Sequence, residues 1–409
     1  MILNRPFKRT VAATMFAAIV CASNGKLLRA GQPYVVSESV GGRIWRIHDS
    51  NNDGDALDVG ERTLWGDGFT GAQGMTADSL AVYVTEEGLA DGSNQVVRLL
   101  DANSDGDALD VGERTVWLDG LDDPRDISFG AGGISYLSEF DNNQIWRLVD
   151  SNNDGDALDN GERILFADGI IGPQMILPQA GTLLVAAEVG DQIHRLVDRN
   201  GDGDALDVAE NLVITPMYDQ PVGLLLDGGG GFYFTSLSTD TVYHARDQNA
   251  DGDMLDVAEA RTYADFVYGL LNGPAGLTAF DGGGFLLADS LQDQLKLVRD
   301  TNGDGDALDL GDVLLFADGI DQPIDILALP PVLPGDFNHD ETVDAADYVV
   351  WRNNPNRTQA QYELWRANFG QPNGSGAGAT VDESSAAVPE PTSLVLLVLA
   401  TVFLFAVRK

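Results

Sequence analysis

Between residues 31 and 331 the apolar positions come in short runs, rich in β-branched and aromatic residues, broken by clusters of Gly, Asn and Asp. The clearest unit reads Pro124–Phe129, Gly133–Glu139, Gln144–Val149 and Glu162–Phe166. Between these runs lie Gly-Ala-Gly-Gly, Phe-Asp-Asn-Asn and one long acidic loop. Runs of this length and composition, bounded by turn residues, predict antiparallel strands. The same four segments recur with a period near fifty residues, which marks one repeated supersecondary unit. Four strands per unit, repeated radially, describe a β-propeller blade. No helical periodicity precedes residue 340, which argues against a helical solenoid.

The chain ends of this region fit a closed ring. Tyr34–Glu38 followed by Ile44-Trp45-Arg46 matches strands two and three of a unit that lacks its strand one. Gln322–Leu329 matches a strand one with no unit left to follow it. Joined, the two pieces complete one blade and remove the exposed sheet edges. The predicted fold is therefore all-β, a six-bladed β-propeller closed by N- and C-terminal strands in one blade, with a small α-helical calcium-loop module after it. A linear stack of sheets, the alternative, leaves these complementary halves unexplained.

The long acidic loop carries the candidate chemistry. Its first copy reads Asp49-Ser50-Asn51-Asn52-Asp53-Gly54-Asp55-Ala56-Leu57-Asp58-Val59-Gly60-Glu61, and the others start at Asp101, Asp150, Asp198, Asp247 and Asp300. Oxygen donors at positions 1, 3 and 5, with glycine at 6 for the bend, suit a hard cation such as Ca²⁺. The side-chain candidates at those positions are Asp49, Asn51, Asp53; Asp101, Asn103, Asp105; Asp150, Asn152, Asp154; Asp198, Asn200, Asp202; Asp247, Asn249, Asp251; and Asp300, Asn302, Asp304. A backbone carbonyl at position 7 (Asp55, Asp107, Asp156, Asp204, Asp253, Asp306) would add a fourth donor. Position 12, which closes an EF-hand, is Gly or Ala here, so closure falls to an acid at 10 or 13. Position 10 (Asp58, Asp110, Asp159, Asp207, Asp256, Asp309) is preferred, as in thrombospondin type 3 repeats; Glu61 and its equivalents at 13 stay open. Asx-rich turns without metal are the plain alternative, but they do not need so many mutually repelling carboxylates.

Charge supports this reading. Against 24 basic residues stand 64 acidic ones, a formal charge of −40 that excludes nucleic acid and anionic membrane surfaces as partners. Five carboxylates in each of six loops account for 30 of the 64, so much of the charge is ligand inventory. The single cysteine, Cys21, lies in a leader (residues 1–30) where Arg5, Lys8 and Arg9 precede an apolar run, Val11–Ala22, the pattern of a secretory signal peptide. An exported chain without a mature disulfide leaves metal as its staple.

After the propeller region (31–331) a different module spans 335–371. Asp336, Asn338, Asp340 and Asp347 form a further calcium-type loop, followed by helical patterns at Tyr348–Trp351 and Tyr362–Phe369, the second capped by Gly370. Residues 372–388, rich in Gly, Ser and Ala, read as a flexible linker. The segment 389–409 holds Pro389-Glu390-Pro391, the apolar run Leu394–Val407 and Arg408-Lys409. At fourteen residues that run is short of the ~20 needed to span a bilayer.

Three resemblances follow from these motifs. The signature Pro-x-(Gly/Asp)-(Ile/Leu) at Pro124, Pro221, Pro274 and Pro323, with a Met175 variant after Pro173, resembles the NHL, YWTD and gluconolactonase-like six-bladed propellers. The 335–371 module resembles a type I dockerin whose loop glycine is replaced by Glu341 and whose second loop is lost. The tail resembles a PEP-CTERM sorting segment, which implies an exosortase-type processing enzyme as partner, an outer-envelope or matrix location in a Gram-negative-type bacterium, and membrane contact through that segment alone. An ordinary membrane anchor is the alternative.

Fold resemblance of this kind does not assign function. The acids ending strand two (Glu38, Glu86, Glu139, Glu188 and Asp289, with Ser236 in the fifth unit) read either as scaffold or as a channel-mouth metal or substrate site like that of gluconolactonase-like propellers. Near-identity in almost every blade favours scaffold. The expected function is a non-enzymatic binding or scaffold protein with Ca²⁺ as its ion and an envelope protein or polysaccharide as partner. A lactonase-like or sugar-dehydrogenase-like enzyme and a dockerin-mediated assembly component are the rivals. No catalytic residues are assigned.

Overall fold

The computed structural model describes residues 32–370, apart from 79, 89–93, 104, 153, 180, 266–269, 330–334, 338–341, 354–356 and 358. The leader, Asn338, Asp340, Glu341, the linker and the tail therefore lie outside the described residues.

Twenty-four strands, β1 (Tyr34–Glu38) to β24 (Pro323–Ala328), form six four-stranded antiparallel sheets. The third unit matches its expected segments closely: β8 (Pro124–Phe129), β9 (Ser135–Glu139), β10 (Gln144–Leu148) and β11 (Arg163–Asp168). The first blade has the strand order β24–β1–β2 (Arg43–Ile47)–β3 (Arg62–Gly66), with Tyr34 opposite Ala328 and Val36 opposite Ile326. The ring is thus closed by the two chain ends, as the half-units required. Its inner wall consists of the six strand ones: β24, β4 (Ala72–Ala77), β8, β12 (Pro173–Gln179), β16 (Pro221–Leu226) and β20 (Pro274–Ala279), each in contact with the next around the circle.

The core lies between blades rather than at the centre. Among the described residues the buried apolar side chains group into six clusters, one at each blade–blade interface. In one of them Trp117 and Leu118 of the second blade pack against Ile127, Leu137 and Leu148 of the third. Each strand supplies residues to both of its faces, which is why its apolar runs are nearly continuous.

Every strand one is bulged against strand two just after its opening residue, as between Pro124 and Asp126. The bulge brings the third residue against the next blade. At Gly74 a Cβ would sit 2.7 Å from the Arg125 carbonyl, and at Gly276 2.7 Å from that of Ile324. The Gly of the Pro-x-(Gly/Asp) signature is a steric requirement of inter-blade approach.

Beyond the ring, α1 (Ala345–Asn353) and α2 (Gln359–Asn368) form a small helical pair. Its core is aromatic: Tyr348 packs on Trp365 with centroids 5.1 Å apart. Gly370 ends α2 with φ of 84° and donates its N–H to the Val343 carbonyl.

Candidate metal centres and the channel mouth

Each acidic loop joins strands three and four, so all six lie on the face opposite the 2–3 and 4–1 connections that form the mouth. Within the first loop Asp49 accepts the N–H groups of Asp53 (3.2 Å) and Gly54 (2.9 Å), and Asn51 Oδ1 accepts that of Asp53 (2.8 Å). These Asx contacts bend the chain into a compact loop. Gly54, at φ of 104°, supplies the bend that other residues resist. The remaining loops keep the position-6 bond, for example Gly155 to Asp150 at 3.0 Å and Gly305 to Asp300 at 2.8 Å, while in the last three the position-4 N–H replaces that of position 5 on the first Asp.

The two acids left open by the sequence have different roles. Position 13 is buried in every loop (Glu61, Glu113, Glu162, Glu210, Glu259 and Asp312). Glu61 accepts the N–H groups of Ser50 (2.8 Å), Asn51 (3.3 Å) and Asp58 (3.1 Å), so the loop is wrapped around its carboxylate. Burial pushes this carboxyl up, but the backbone donors outweigh it and hold the group below the usual range. Position 10 instead accepts the Asn amide: Asn51 Nδ2 lies 2.6 Å from Asp58 and 3.0 Å from Asp53. The same bridge recurs in all six loops, and places an amide dipole where two carboxylates need a positive neighbour. In the fourth and fifth loops carboxylates at 5, 7 and 13 (Asp202, Asp204, Glu210; Asp251, Asp253, Glu259) bring one oxygen each within 4.8 Å of one another, close enough to hold a metal ion. That group contains the position-7 side chain, expected to donate only its carbonyl, and the acid at 13 rather than the preferred one at 10.

The module after the ring shows the same stitch. Asp347 accepts the N–H of Phe337 at 2.7 Å and that of Asp344 at 2.7 Å, as Glu61 does from its own loop positions 2 and 10. Asp336 and Asp347 are both buried.

Glu113→Gln is expected to weaken the second loop. Its Oε2 accepts the Asp110 N–H at 3.1 Å, and an amide nitrogen there would set donor against donor. A buried donor without an acceptor costs about 1–3 kcal/mol, so melting in excess Ca²⁺ should shift down by several degrees; an unchanged transition would refute the stapling role.

Three of the strand-two acids, Glu38, Glu86 and Glu139, are held by several donors within their blades. Glu139 accepts Trp146 Nε1 (2.7 Å), Arg163 Nη2 (2.8 Å) and the Asp122 N–H (3.0 Å), with Arg163 stacked 4.1 Å from the Trp146 ring centroid. Glu38 accepts Trp45 Nε1 and Glu86 accepts Arg114 and Gln95. Trp45 and Trp146 are held by these contacts. Asp289, one methylene shorter, leaves Oδ2 without a hydrogen bond and Lys296 4.0 Å away; burial pushes its carboxyl up to about 7. Two histidines are similarly engaged: His194 with Asn211 at 2.7 Å and His244 with Asp227 at 2.8 Å.

At the mouth, the second strand-one residues are polar in blades two to four (Gln73, Arg125, Gln174) and apolar in the rest (Val222, Ala275, Ile324). Arg125 lies 3.1 Å from Glu87 and 2.7 Å from Asp123. Burial pushes both carboxyls up while the guanidinium pulls them down. A built-in cation, Arg125, therefore already occupies this acid cluster.

Nothing in the sequence sets Asp126 and Asp325 apart from other residues at the strand-one openings. Both are buried, on either side of Gly74, and each accepts an N–H from the next blade: Ile176 to Asp126 and Met75 to Asp325, both at 2.8 Å. Burial, and for Asp126 also the charge of Asp325, raises these carboxyls, Asp325 to about 6. A raised folded-state value means the fold holds these protons more tightly than the unfolded chain, so stability falls as pH rises from about 4 through 6. With Ca²⁺ saturating, Asp126→Asn should flatten the fall in melting temperature between pH 4.5 and 7. A variant that keeps the wild-type slope would contradict a raised carboxyl at Asp126.

No protein-family model matches the chain, and no curated protein matches it either. Solved structures do. A chain of the nidogen/laminin complex aligns over 73% of this chain and 98% of its own, at 15% identity and a TM-score of 0.51. A candidate 6-phosphogluconolactonase from Bacteroides uniformis aligns over 73% and 99% at 12% identity, TM-score 0.50. A functionally unknown protein from Desulfotomaculum acetoxidans aligns over 74% and 100% at 12% identity, TM-score 0.50. At such identities the likeness is one of architecture: the chain is a six-bladed β-propeller with six acidic loops, two of which gather three carboxylate oxygens within 4.8 Å.

Proposed function

We propose that this is an exported propeller whose six loops bind Ca²⁺ as structural ions, and that it works at the cell surface or in the matrix as a binding or scaffold protein. The observation that supports this most is the sixfold recurrence of one loop geometry, with the side chains at positions 1, 3 and 5 hydrogen-bonded around a bend at position 6. A single such loop is an acidic turn; six in register are a repeated design for one hard cation. Within it the acid at position 13 closes the site, because it occupies the place that Asp347 holds in the seventh loop. On binding, the Asn at position 3 turns its oxygen inward and releases the acid at 10.

The signal peptide, the dockerin-like module and the PEP-CTERM-like tail complete the proposal. They make the chain an envelope-directed scaffold with an envelope protein or polysaccharide as partner and an exosortase-type enzyme acting on its tail. A lactonase-like reading draws on fold alone, and the pairing of Arg125 with Glu87 and Asp123 weighs against a channel-mouth metal. Assaying the calcium-loaded protein against lactones and aldoses tests this. No turnover is expected; turnover abolished by Arg125→Ala would move the assignment to an enzyme.

A further inference from the structure

The acidic loops do more than decorate the rim: each reaches across to the blade before it. In the middle of every loop, between acids at positions 7 and 10, stands an apolar residue at position 8: Ala56, Ala108, Ala157, Ala205, Met254 and Ala307. All six are buried, although the segments around them are largely exposed. Each belongs to the apolar cluster shared with the preceding blade; Ala108 packs with Trp65, and Ala157 with Trp117.

The backbone follows the side chain. The position-8 N–H donates to an outer-edge carbonyl of the preceding blade at every junction: Ala56 to Phe316, Ala108 to Trp65, Ala157 to Trp117, Ala205 to Phe166, Met254 to Ile214 and Ala307 to Tyr263, at 2.7–2.9 Å. Two junctions add an arginine from the preceding blade on the loop's position-6 carbonyl: Arg195 on Gly252, and Arg261 on Gly305 at 2.8 Å. The Ala56–Phe316 bond lies at the junction of the sixth and first blades, so the pattern runs around the whole ring.

We propose that the loops are clasps between blades, and that cation occupancy of a loop sets how firmly its blade grips the preceding one. This rests on the reading of the loops as Ca²⁺ sites. The coupling is short. The residues at positions 5, 7 and 10 that gather charge sit within three residues of the position-8 amide, so carboxylates that repel one another without an ion pull on that amide directly. An ion removes the repulsion and fixes the loop with its amide presented outward. Calcium then acts on blade–blade cohesion, and each sheet's own ladder is indifferent to it.

Hydrogen exchange on the full chain, with saturating Ca²⁺ and with chelator, tests the clasp, and a parallel calorimetric Ca²⁺ titration tests the site. On chelation the position-8 amides should exchange at least about fivefold faster, the factor a single net hydrogen bond supplies. Central strand amides such as those of β9 should change far less. Ala108→Pro deletes the donor while leaving every carboxylate in place, so it should loosen the first–second junction with calcium present and leave the ion count unchanged. Asp105→Asn should lower the count by one and loosen the same junction. No bound calcium would overturn the site reading alone. Bound calcium with position-8 amides that exchange equally with and without it would overturn the clasp, and the wild-type comparison decides this even where a variant fails to fold.

Discussion

Removing calcium is expected to lower the melting temperature of the propeller by roughly 20 °C or more. An ion bound only to the native state contributes about 2.7 kcal/mol at a hundredfold excess over its dissociation constant. Six equivalent loops raise that to about 16 kcal/mol, which exceeds the whole stability of many domains. The effect is large because the chain cannot staple itself with an internal disulfide: it has one cysteine, Cys21. It should also be specific. Added salt screens exposed carboxylates but cannot coordinate them, so molar NaCl with chelator should recover little of the loss. A scan of thermal unfolding with Ca²⁺, with chelator, and with chelator plus salt distinguishes the two. Identical transitions in the first two would sink the structural-ion account.

The second large effect is expected at the closure. β24 is the inner strand of the first blade, and Ile326 packs with Val36, Tyr34 and Phe316 in the junction cluster between the sixth and first blades. Ending the chain after Asp321 removes that strand, opens β1 as an edge and strips one side of the junction. The ring then loses closure as well as a strand, and the truncated protein should unfold or self-associate at ambient temperature. Ending it after Pro334 leaves β24 in place and should preserve the sheet spectrum and the melting transition of the ring. The internal comparison matters, since both truncations remove the helical module and the tail. Comparable stability of the two proteins would contradict closure by the terminal strand.

These expectations show which features were legible in the sequence. Strands were readable because the wall residues of each blade are buried on both faces, so their apolar runs stand out between turns. Closure was readable because Tyr34–Glu38 and Pro323–Ala328 are halves of one pattern at opposite ends of the chain. What escaped the reading were contacts between repeats. Ala56 and its equivalents look like spacers among acids until the preceding blade is placed beside them; the signal was an apolar residue at one fixed position of an otherwise polar loop. Asp126 and Asp325 lie two blades apart and meet across Gly74, a proximity that a period of fifty residues does not reveal. Which of the acids at 10 and 13 the loop's own N–H groups surround is likewise a matter of backbone path rather than composition.

The account stands most directly on the number of ions the protein holds. Dialysed against micromolar Ca²⁺ and analysed by elemental mass spectrometry against amino-acid concentration, the chain through residue 370 should carry six calcium ions in its ring, and a seventh if the loop at Asp336–Asp347 is also filled. One ion, or none, would leave the sixfold loops as bare acidic turns and contradict the central claim.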